Sequence, residues 1–265
     1  MFDFAAVRGS GDGEKEPMTT MGFLDHLEEL RKRIVYSIVA VAVGFGVCWW
    51  KVEWLYGFMQ KPIVDVLRKH GLPEKLVFLN PTDPFNLYLK VAGLAGLFLT
   101  SPFVLYQVWM FISPGLYRNE KRFAVPLLVS AILLFYVGVT FAYFFVFPVM
   151  FSFFASTTPK GVSMMTDINS YLDFVLVMFF AFGAAFEVPV AVVLLVITGI
   201  VKLQKLRENR GYVLLGIFIF AAMLTPPDAV SQSILAVPMY LLYEGGLLMA
   251  RILQHMKSKE IQPAK

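Results

Sequence analysis

The sequence predicts an all-α, polytopic integral membrane protein with six transmembrane helices, the last two of them short. Of its 265 residues, 58% are hydrophobic and only 16% are charged, whereas soluble globular proteins average about 25% charged residues. The apolar residues form long continuous runs, such as residues 123–154, and do not alternate with polar residues as they would in a membrane β-barrel. We therefore expect helices that lie in lipid.

Six apolar segments are the predicted spans: 34–50, 87–112, 123–154, 172–200, 212–224 and 229–250. The fifth differs from the others, because its apolar part from Val213 to Leu224 would be about 18 Å long as a helix, well below a hydrocarbon core of about 30 Å. Thr225-Pro226-Pro227-Asp228 ends this helix, since proline cannot donate the next helical hydrogen bond. The last two helices are expected to form a short hairpin that thins the bilayer or lies shielded by the others.

The distribution of Lys and Arg predicts that both termini are cytoplasmic. Most of the 23 basic residues fall in segments that are cytoplasmic in this orientation, as the positive-inside rule requires. The predicted organisation is a flexible tail over 1–22, a six-helix transmembrane domain over 23–253 and a cytoplasmic tail over 254–265. The basic residues form no single stripe, so no nucleic-acid partner is expected.

The first external segment, 51–86, is expected to contain a helix that lies along the membrane interface. Its apolar residues recur at helical spacing from Trp54 to Leu67, which is typical of an amphipathic helix.

Glu187 is the most informative single residue, because it lies near the middle of the fourth span. A carboxylate at that depth costs on the order of 3 kcal/mol, and Pro189 leaves the Ala185 carbonyl without a helical donor. Small residues share the Glu187 face at three- and four-residue spacing and would let another helix come close: Gly183, Ala184 and Ala191. Two interpretations stay open, a protonated structural residue bonded within the bundle and a polar hub for a partner helix or a proton.

A second group of charged residues precedes the first span, in His26-Leu27-Glu28-Glu29-Leu30-Arg31-Lys32-Arg33. The spacing of Glu28 from Lys32, and of Glu29 from Arg33, suits simple helix-stabilising pairs. The alternative is that a carboxylate held among basic residues receives arginine from another chain, since guanidinium groups bind carboxylates bidentately. Glu120, in the next cytoplasmic loop, is a second candidate.

Enzyme chemistry is not expected. His26, His70 and His255 lie outside the predicted spans, the metalloprotease pattern lacks its second histidine, and there is no nucleotide-binding loop. The single cysteine, Cys48, allows neither a disulfide within the chain nor a cysteine-based metal site. We expect no catalytic residues, no bound metal and no cofactor.

Several ordered motifs together make the chain resemble the TatC family, the multi-spanning receptor subunits of twin-arginine protein translocases. The resemblance covers about residues 24–250 and rests on these motifs: His26-Leu27-Glu28-Glu29-Leu30-Arg31; Ser101-Pro102 with Tyr106-Gln107-Val108-Trp109; Phe111-Ile112-Ser113-Pro114-Gly115-Leu116-Tyr117 with Glu120-Lys121-Arg122; Phe141-Ala142-Tyr143-Phe144; Ala181-Phe182-Gly183 with Phe186-Glu187-Val188-Pro189; and Leu224-Thr225-Pro226-Pro227-Asp228. The tail before Met18 is longer than is usual in the family.

The resemblance implies a concave helical bundle that exports folded proteins across the bacterial inner membrane, using the proton-motive force and no ATP. Twin-arginine signal peptides would bind at the cytoplasmic face to five residues: Glu29, Glu120, Arg31, Phe111 and Arg122. Glu187 would face the concave side, and Thr225 and Gln232 would lie where TatA- and TatB-type single-span subunits dock. The other implied partners are membrane lipid and further copies of the chain.

The competing hypothesis is a proton-coupled small-solute transporter, in which Glu187 and the break at Pro189 would form a midplane site. Such folds often repeat a broken helix in both halves. No repeat is visible here, since Pro102 and Pro189 lie in unlike contexts.

Overall fold

The structure, a computed structural model, describes residues 23–112, 124–159, 165–225 and 228–261. Its described part is helical throughout, apart from short connections and one isolated bridge. The helices are α1 (Phe23–Trp49), α2 (Val52–Lys69), α3 (Asp83–Ile112), α4 (Ala124–Phe141), α5 (Phe147–Thr157), α6 (Ile168–Phe186), α7 (Val188–Ile197), α8 (Leu203–Glu208), α9 (Arg210–Leu224) and α10 (Ala229–Ile261), with a π-helical turn at Ala142–Val146 between α4 and α5.

Within the described ranges, five helical segments are long and apolar enough to cross a membrane, and a sixth, Arg210–Leu224, is shorter. The five are His26–Trp49, Asp83–Ile112, Val125–Thr157, Ile168–Ile197 and Ala229–His255. The all-α, polytopic prediction is confirmed, as is the short fifth helix. The prediction that the sixth helix is also short is wrong. The sixth helix has 33 residues. It continues past the end of the apolar run, through a polar sequence, into the segment predicted as the cytoplasmic tail.

Two of the spans are interrupted. The third contains the π-helical turn, which ends at Val146, two residues before Pro148 in the first turn of α5. The fourth breaks at Glu187, between α6 and α7, with Pro189 at the start of α7. Both interruptions fall where a proline removes a helical donor.

Glycines allow the closest helix contacts. A side chain at Gly96 of α3 would lie 2.6 Å from the Phe45 backbone nitrogen of α1, and one at Gly44 would lie 2.7 Å from the Gly96 carbonyl oxygen. Likewise, Gly246 of α10 lies against the backbone of Pro189. Small residues at such crossings are typical of membrane helices, which gain little from hydrophobic burial.

The core is centred on α6. Leu172, Val175, Met178 and Phe182 are completely buried, and α6 contacts α3, α4 and α10. In contrast, α1 packs mainly along α3 and exposes the rest of its apolar surface, as a lipid-facing helix does.

The helix predicted within segment 51–86 is present as α2. Its apolar face packs against α3 and α5, with Ile63, Val66 and Leu67 buried, while Trp54 remains 70% exposed.

Pro62 of α2 leaves the Phe58 carbonyl without its helical donor. The Tyr143 hydroxyl, from the π-helical turn, donates to this oxygen at 2.8 Å, and the two rings stack with centroids 4.5 Å apart. The next carbonyl, of Met59, accepts the hydroxyl of Tyr171 of α6 at 2.7 Å. Two tyrosines therefore hold α2 against the bundle.

We expect Tyr143→Phe to lower the free energy of unfolding by about 1 kcal/mol, because it removes the donor but keeps the stacked ring. Denaturant unfolding in detergent measures this change. An unchanged midpoint would contradict the role given to the hydroxyl.

The segment 70–82 is joined to the start of α6 by a parallel bridge between Val77 and Asp167. The Val77 amide donates to the Thr166 carbonyl at 3.1 Å, and the Ile168 amide donates to the Val77 carbonyl at 3.0 Å. Asp167 also caps α6, since its Oδ2 accepts the Ser170 hydroxyl at 2.7 Å and the Ser170 amide at 2.9 Å.

These two bonds, that of the Ser170 hydroxyl first, hold the pKa of Asp167 below its ordinary value. A depressed carboxyl pKa adds stability above the unfolded-state pKa of about 3.9, and this stability is lost as the pH falls through the folded value. We expect Asp167→Ala to lower the melting temperature at pH 7, and the difference from the unsubstituted protein to shrink below about pH 4. If the difference in melting temperature did not change with pH, the ionised Asp167 carboxylate would not be the source of this stability.

Candidate functional site

One polar site is formed where the start of α1 meets the end of α3. Arg33 of α1 donates from Nη2 to Glu29 Oε1 at 3.1 Å and from Nη1 to Gln107 Oε1 of α3 at 3.1 Å. The Glu29 and Arg33 side chains are only 15% and 23% exposed. Arg33 therefore holds the Glu29 carboxylate in place and ties it to α3.

The other carboxylate oxygen of Glu29, Oε2, is buried and has no hydrogen-bond partner among the described residues. A buried acceptor without a partner is costly, and a charged one more so. Glu28 is different, because its ion pair with Lys32, at 2.8 Å, is exposed to solvent. Both predicted helix pairs therefore form, but only Glu29 keeps a buried and unused acceptor.

An aromatic pair includes His26, which lies about one helical turn before Glu29 on α1. The rings of His26 and Phe111 stack with centroids 4.3 Å apart, which joins the first turn of α1 to the last turn of α3. Arg31 is exposed and makes no ion pair within the described ranges.

Three of the five predicted docking residues are thus placed at one end of the bundle: Glu29, Arg31 and Phe111. Glu120 and Arg122 lie outside the described residues. We define the docking site by the described residues that the contacts join: His26, Glu29, Arg33, Gln107 and Phe111.

Gln107 was not predicted as a site residue. It is 74 positions from Arg33, and sequence spacing carries no signal for such a contact. Its position in the apolar second span is the only available indication, because a buried amide needs a partner.

Glu187 lies in the break between α6 and α7, where its amide donates to the Ala184 carbonyl at 3.1 Å. The side chain is partly exposed, yet its Oε1 is buried and has no hydrogen-bond partner in the part of the chain that the structure describes. The bundle therefore neither seals this carboxyl group nor pairs that oxygen.

The helix face around Glu187 is largely open. Ala184 and Ala191 are exposed, and Phe180 is 64% exposed. Gly183 shares this face by helical spacing, but a neighbouring helix covers it. Gly183 is buried, and a side chain there would lie 2.7 Å from the Phe135 ring of α4, so the helix that approaches it belongs to the same chain.

Thr225 and Gln232 flank the connection between α9 and α10. Thr225 is buried, and its hydroxyl donates to the Ala221 carbonyl at 2.9 Å. Gln232 is partly exposed in the first turn of α10, which Asp228 caps by accepting the Ser231 amide at 2.7 Å.

The chemistry available at these sites is binding through hydrogen bonds and charge. A held carboxylate with one free oxygen suits a cationic donor such as guanidinium. Among the described residues, no three His, Cys, Asp or Glu side chains are grouped so that they could hold a metal ion.

Comparison with known proteins agrees with this architecture. The family model of TatC, the Sec-independent protein translocase protein, matches residues 25–238. TatC of Azotobacter chroococcum mcd 1 is 49% identical over 237 residues, covering 89% of this chain and 91% of that protein. TatC of Escherichia coli (strain K12) is 46% identical over 232 residues, covering 88% of this chain and 89% of the relative.

A solved structure is also similar over nearly its whole length. A crystal structure of the twin-arginine translocase receptor TatC superposes with a TM-score of 0.76 at 33% identity, covering 86% of this chain and 98% of that one. Because the family model spans most of the sequence and the relatives match along almost their full length, the chain belongs to the TatC family of Sec-independent protein translocase proteins.

Proposed function

We propose that this chain is the receptor subunit of a twin-arginine translocase and that the docking site binds the arginine pair of the signal peptide. The observation that carries the proposal is the unpartnered, buried Oε2 of Glu29, on a carboxylate whose other oxygen Arg33 already holds. A guanidinium group can supply the missing donor and compensate the buried charge.

The remaining docking residues follow from the resemblance. Glu120 would receive the second arginine, and Arg31, Phe111 and Arg122 would shape the site around the peptide. The stacked His26 and Phe111 rings support this assignment, since an aromatic face about one helical turn from a carboxylate suits a planar guanidinium.

The proposed location is the bacterial inner membrane with both termini in the cytoplasm. This orientation puts the docking site on the cytoplasmic side, where precursor proteins are made. It also puts the 70–82 segment and the Asp167 cap outside.

The proposed partners are TatA- and TatB-type single-span subunits, further copies of the chain and membrane lipid. Glu187, with one unpaired buried oxygen on an open face, suits a polar group on a helix that docks from the lipid, while Thr225 and Gln232 would contribute from the short hairpin. A folded cargo is wider than any pore that six helices could enclose, so we assign recognition, membrane thinning and recruitment to this subunit, with export energised by the proton-motive force.

The alternative, a proton-coupled small-solute transporter, is not favoured. Membership of the translocase family argues against it. The open surroundings of Glu187 also argue against a transporter, in which a midplane site would be enclosed between two halves.

Binding of a fluorescent twin-arginine peptide to the purified protein in detergent tests the proposed function. We expect saturable binding that weakens at least about tenfold when both arginines are changed to lysine, because lysine cannot form the bidentate pair. Equal affinity for the two peptides would refute the assignment.

A further inference from the structure

Two carbonyl groups that prolines deprive of a helical donor are bonded by tyrosines of the third span. Pro62 frees the Phe58 carbonyl of α2, and Tyr143 donates to it. Pro102 of α3 frees the Phe98 carbonyl in the same way, and the hydroxyl of Tyr136 of α4 donates to that oxygen at 2.9 Å.

The bond from Tyr136 lies within a span, where no water is present to donate to an unsatisfied carbonyl. The Ser101 hydroxyl donates to the same oxygen at 2.8 Å, so both lone pairs of the Phe98 carbonyl are used. The Ser101 hydroxyl belongs to the adjacent turn of α3 itself. Its bond therefore moves with α3 and does not restrain the helix. Among the described residues, the Tyr136 bond alone ties this carbonyl to another helix.

Pro102, where α3 lacks one helical hydrogen bond and can bend, separates a fixed half of α3 from the half that carries the docking site. On the fixed side, Gly96 lies against α1, and the Phe98 ring packs edge-on against Phe135 and Phe179, with centroids 5.8 and 5.4 Å apart. Beyond Pro102, Gln107 accepts a hydrogen bond from Arg33, and Phe111 stacks on His26. The angle at Pro102 therefore decides where Gln107 and Phe111 lie relative to Glu29.

We propose that Tyr136 is a positioning residue for the docking site. By bonding the Phe98 carbonyl, its hydroxyl fixes the angle of α3 at Pro102. Tyr136 is on a different helix from every docking residue and acts through α3. This inference rests on the proposed function for its effect on binding, but its effect on the angle at Pro102 can be measured without any peptide.

A double-mutant cycle in peptide affinity tests whether the Tyr136 hydroxyl acts through its hydrogen bond to the Phe98 carbonyl. Tyr136→Phe should weaken binding of the twin-arginine peptide about fivefold. Pro102→Ala restores the missing donor, so Tyr136→Phe should change affinity by less than about twofold in that background. Tyr212→Phe is the matched control with unchanged affinity, because Tyr212 is 77% exposed on α9 and its hydroxyl makes no hydrogen bond within the described ranges.

The angle at Pro102 is measured with spin labels on the two halves of α3, in a Cys48→Ser background. Leu89 and Val108 are exposed and would be roughly 28 Å apart along a straight helix. Tyr136→Phe should broaden the label-to-label distance distribution, and Tyr212→Phe should not.

The outcomes separate this inference from the proposed function. Wild-type affinity in Tyr136→Phe, an equal loss in both backgrounds, or an unchanged distance distribution would each overturn the positioning role. Failure of the unsubstituted protein to bind the peptide would contradict the proposed function, and the label distances would then decide the role of Tyr136 alone.

Discussion

Glu29→Gln is expected to weaken binding of a twin-arginine peptide about a hundredfold, because it removes the charge that the buried guanidinium would pair with. The amide oxygen of the glutamine can still accept from Arg33, so the change leaves the hydrogen bonds that join α1 to α3 and alters the charge. Fluorescence anisotropy with the labelled peptide, on protein in detergent, measures the effect.

Glu28→Gln is the matched control. Glu28 is the neighbouring residue on the same helix, and its carboxylate is exposed and paired with Lys32. We expect the peptide affinity of Glu28→Gln to remain within about twofold of that of the unsubstituted protein, because solvent-exposed ion pairs contribute little free energy. Equal losses in the two variants would mean that the basic surface, rather than the Glu29 carboxylate, attracts the peptide.

Glu187→Ala is expected to weaken association with a TatB-type subunit about tenfold, while twin-arginine peptide binding changes by less than about twofold. Glu187 offers one unpaired buried oxygen on an open face, and a hydrogen bond between helices in lipid contributes on the order of 1 kcal/mol or slightly more. Co-purification of a tagged single-span partner, scored beside peptide binding on the same preparation, measures both effects.

Ala184→Leu provides a second probe of the same face. Ala184 is exposed, so a larger side chain should leave the bundle intact but block a helix that approaches Glu187 closely. A partner that is retained by both variants would contradict docking at this face. Parallel loss of peptide and partner in Glu187→Ala would instead indicate misfolding.

The chain positions of the spans could be predicted because local chemistry determines them. Pro226-Pro227 ends α9 after a short apolar run, and Pro189 marks the break beside Glu187. The length of α10 was mispredicted for the opposite reason, since nothing in a polar sequence after an apolar one requires a helix to stop at the membrane surface.

Contacts between distant parts of the chain could not be predicted in this way. The carboxylate of Glu29 was identified from its motif, but the bond from Arg33 to Gln107 depends on how α1 packs against α3. Close helix approach at Gly183 was predicted, but the helix that approaches it, α4, could not be, because periodicity defines a face without saying which helix covers it. The Tyr136 bond to the Phe98 carbonyl could not be predicted either, because it depends on how α4 packs against α3.

A double-mutant cycle between receptor and peptide tests most directly the claim that the free oxygen of Glu29 receives an arginine. The affinities needed are those of the unsubstituted protein and Glu29→Gln, each for the twin-arginine and twin-lysine peptides. If the carboxylate and the guanidinium contact each other, the arginine-to-lysine change should weaken binding at least about tenfold in the unsubstituted protein and less than about twofold in Glu29→Gln. Losses of equal size in both proteins would contradict the account.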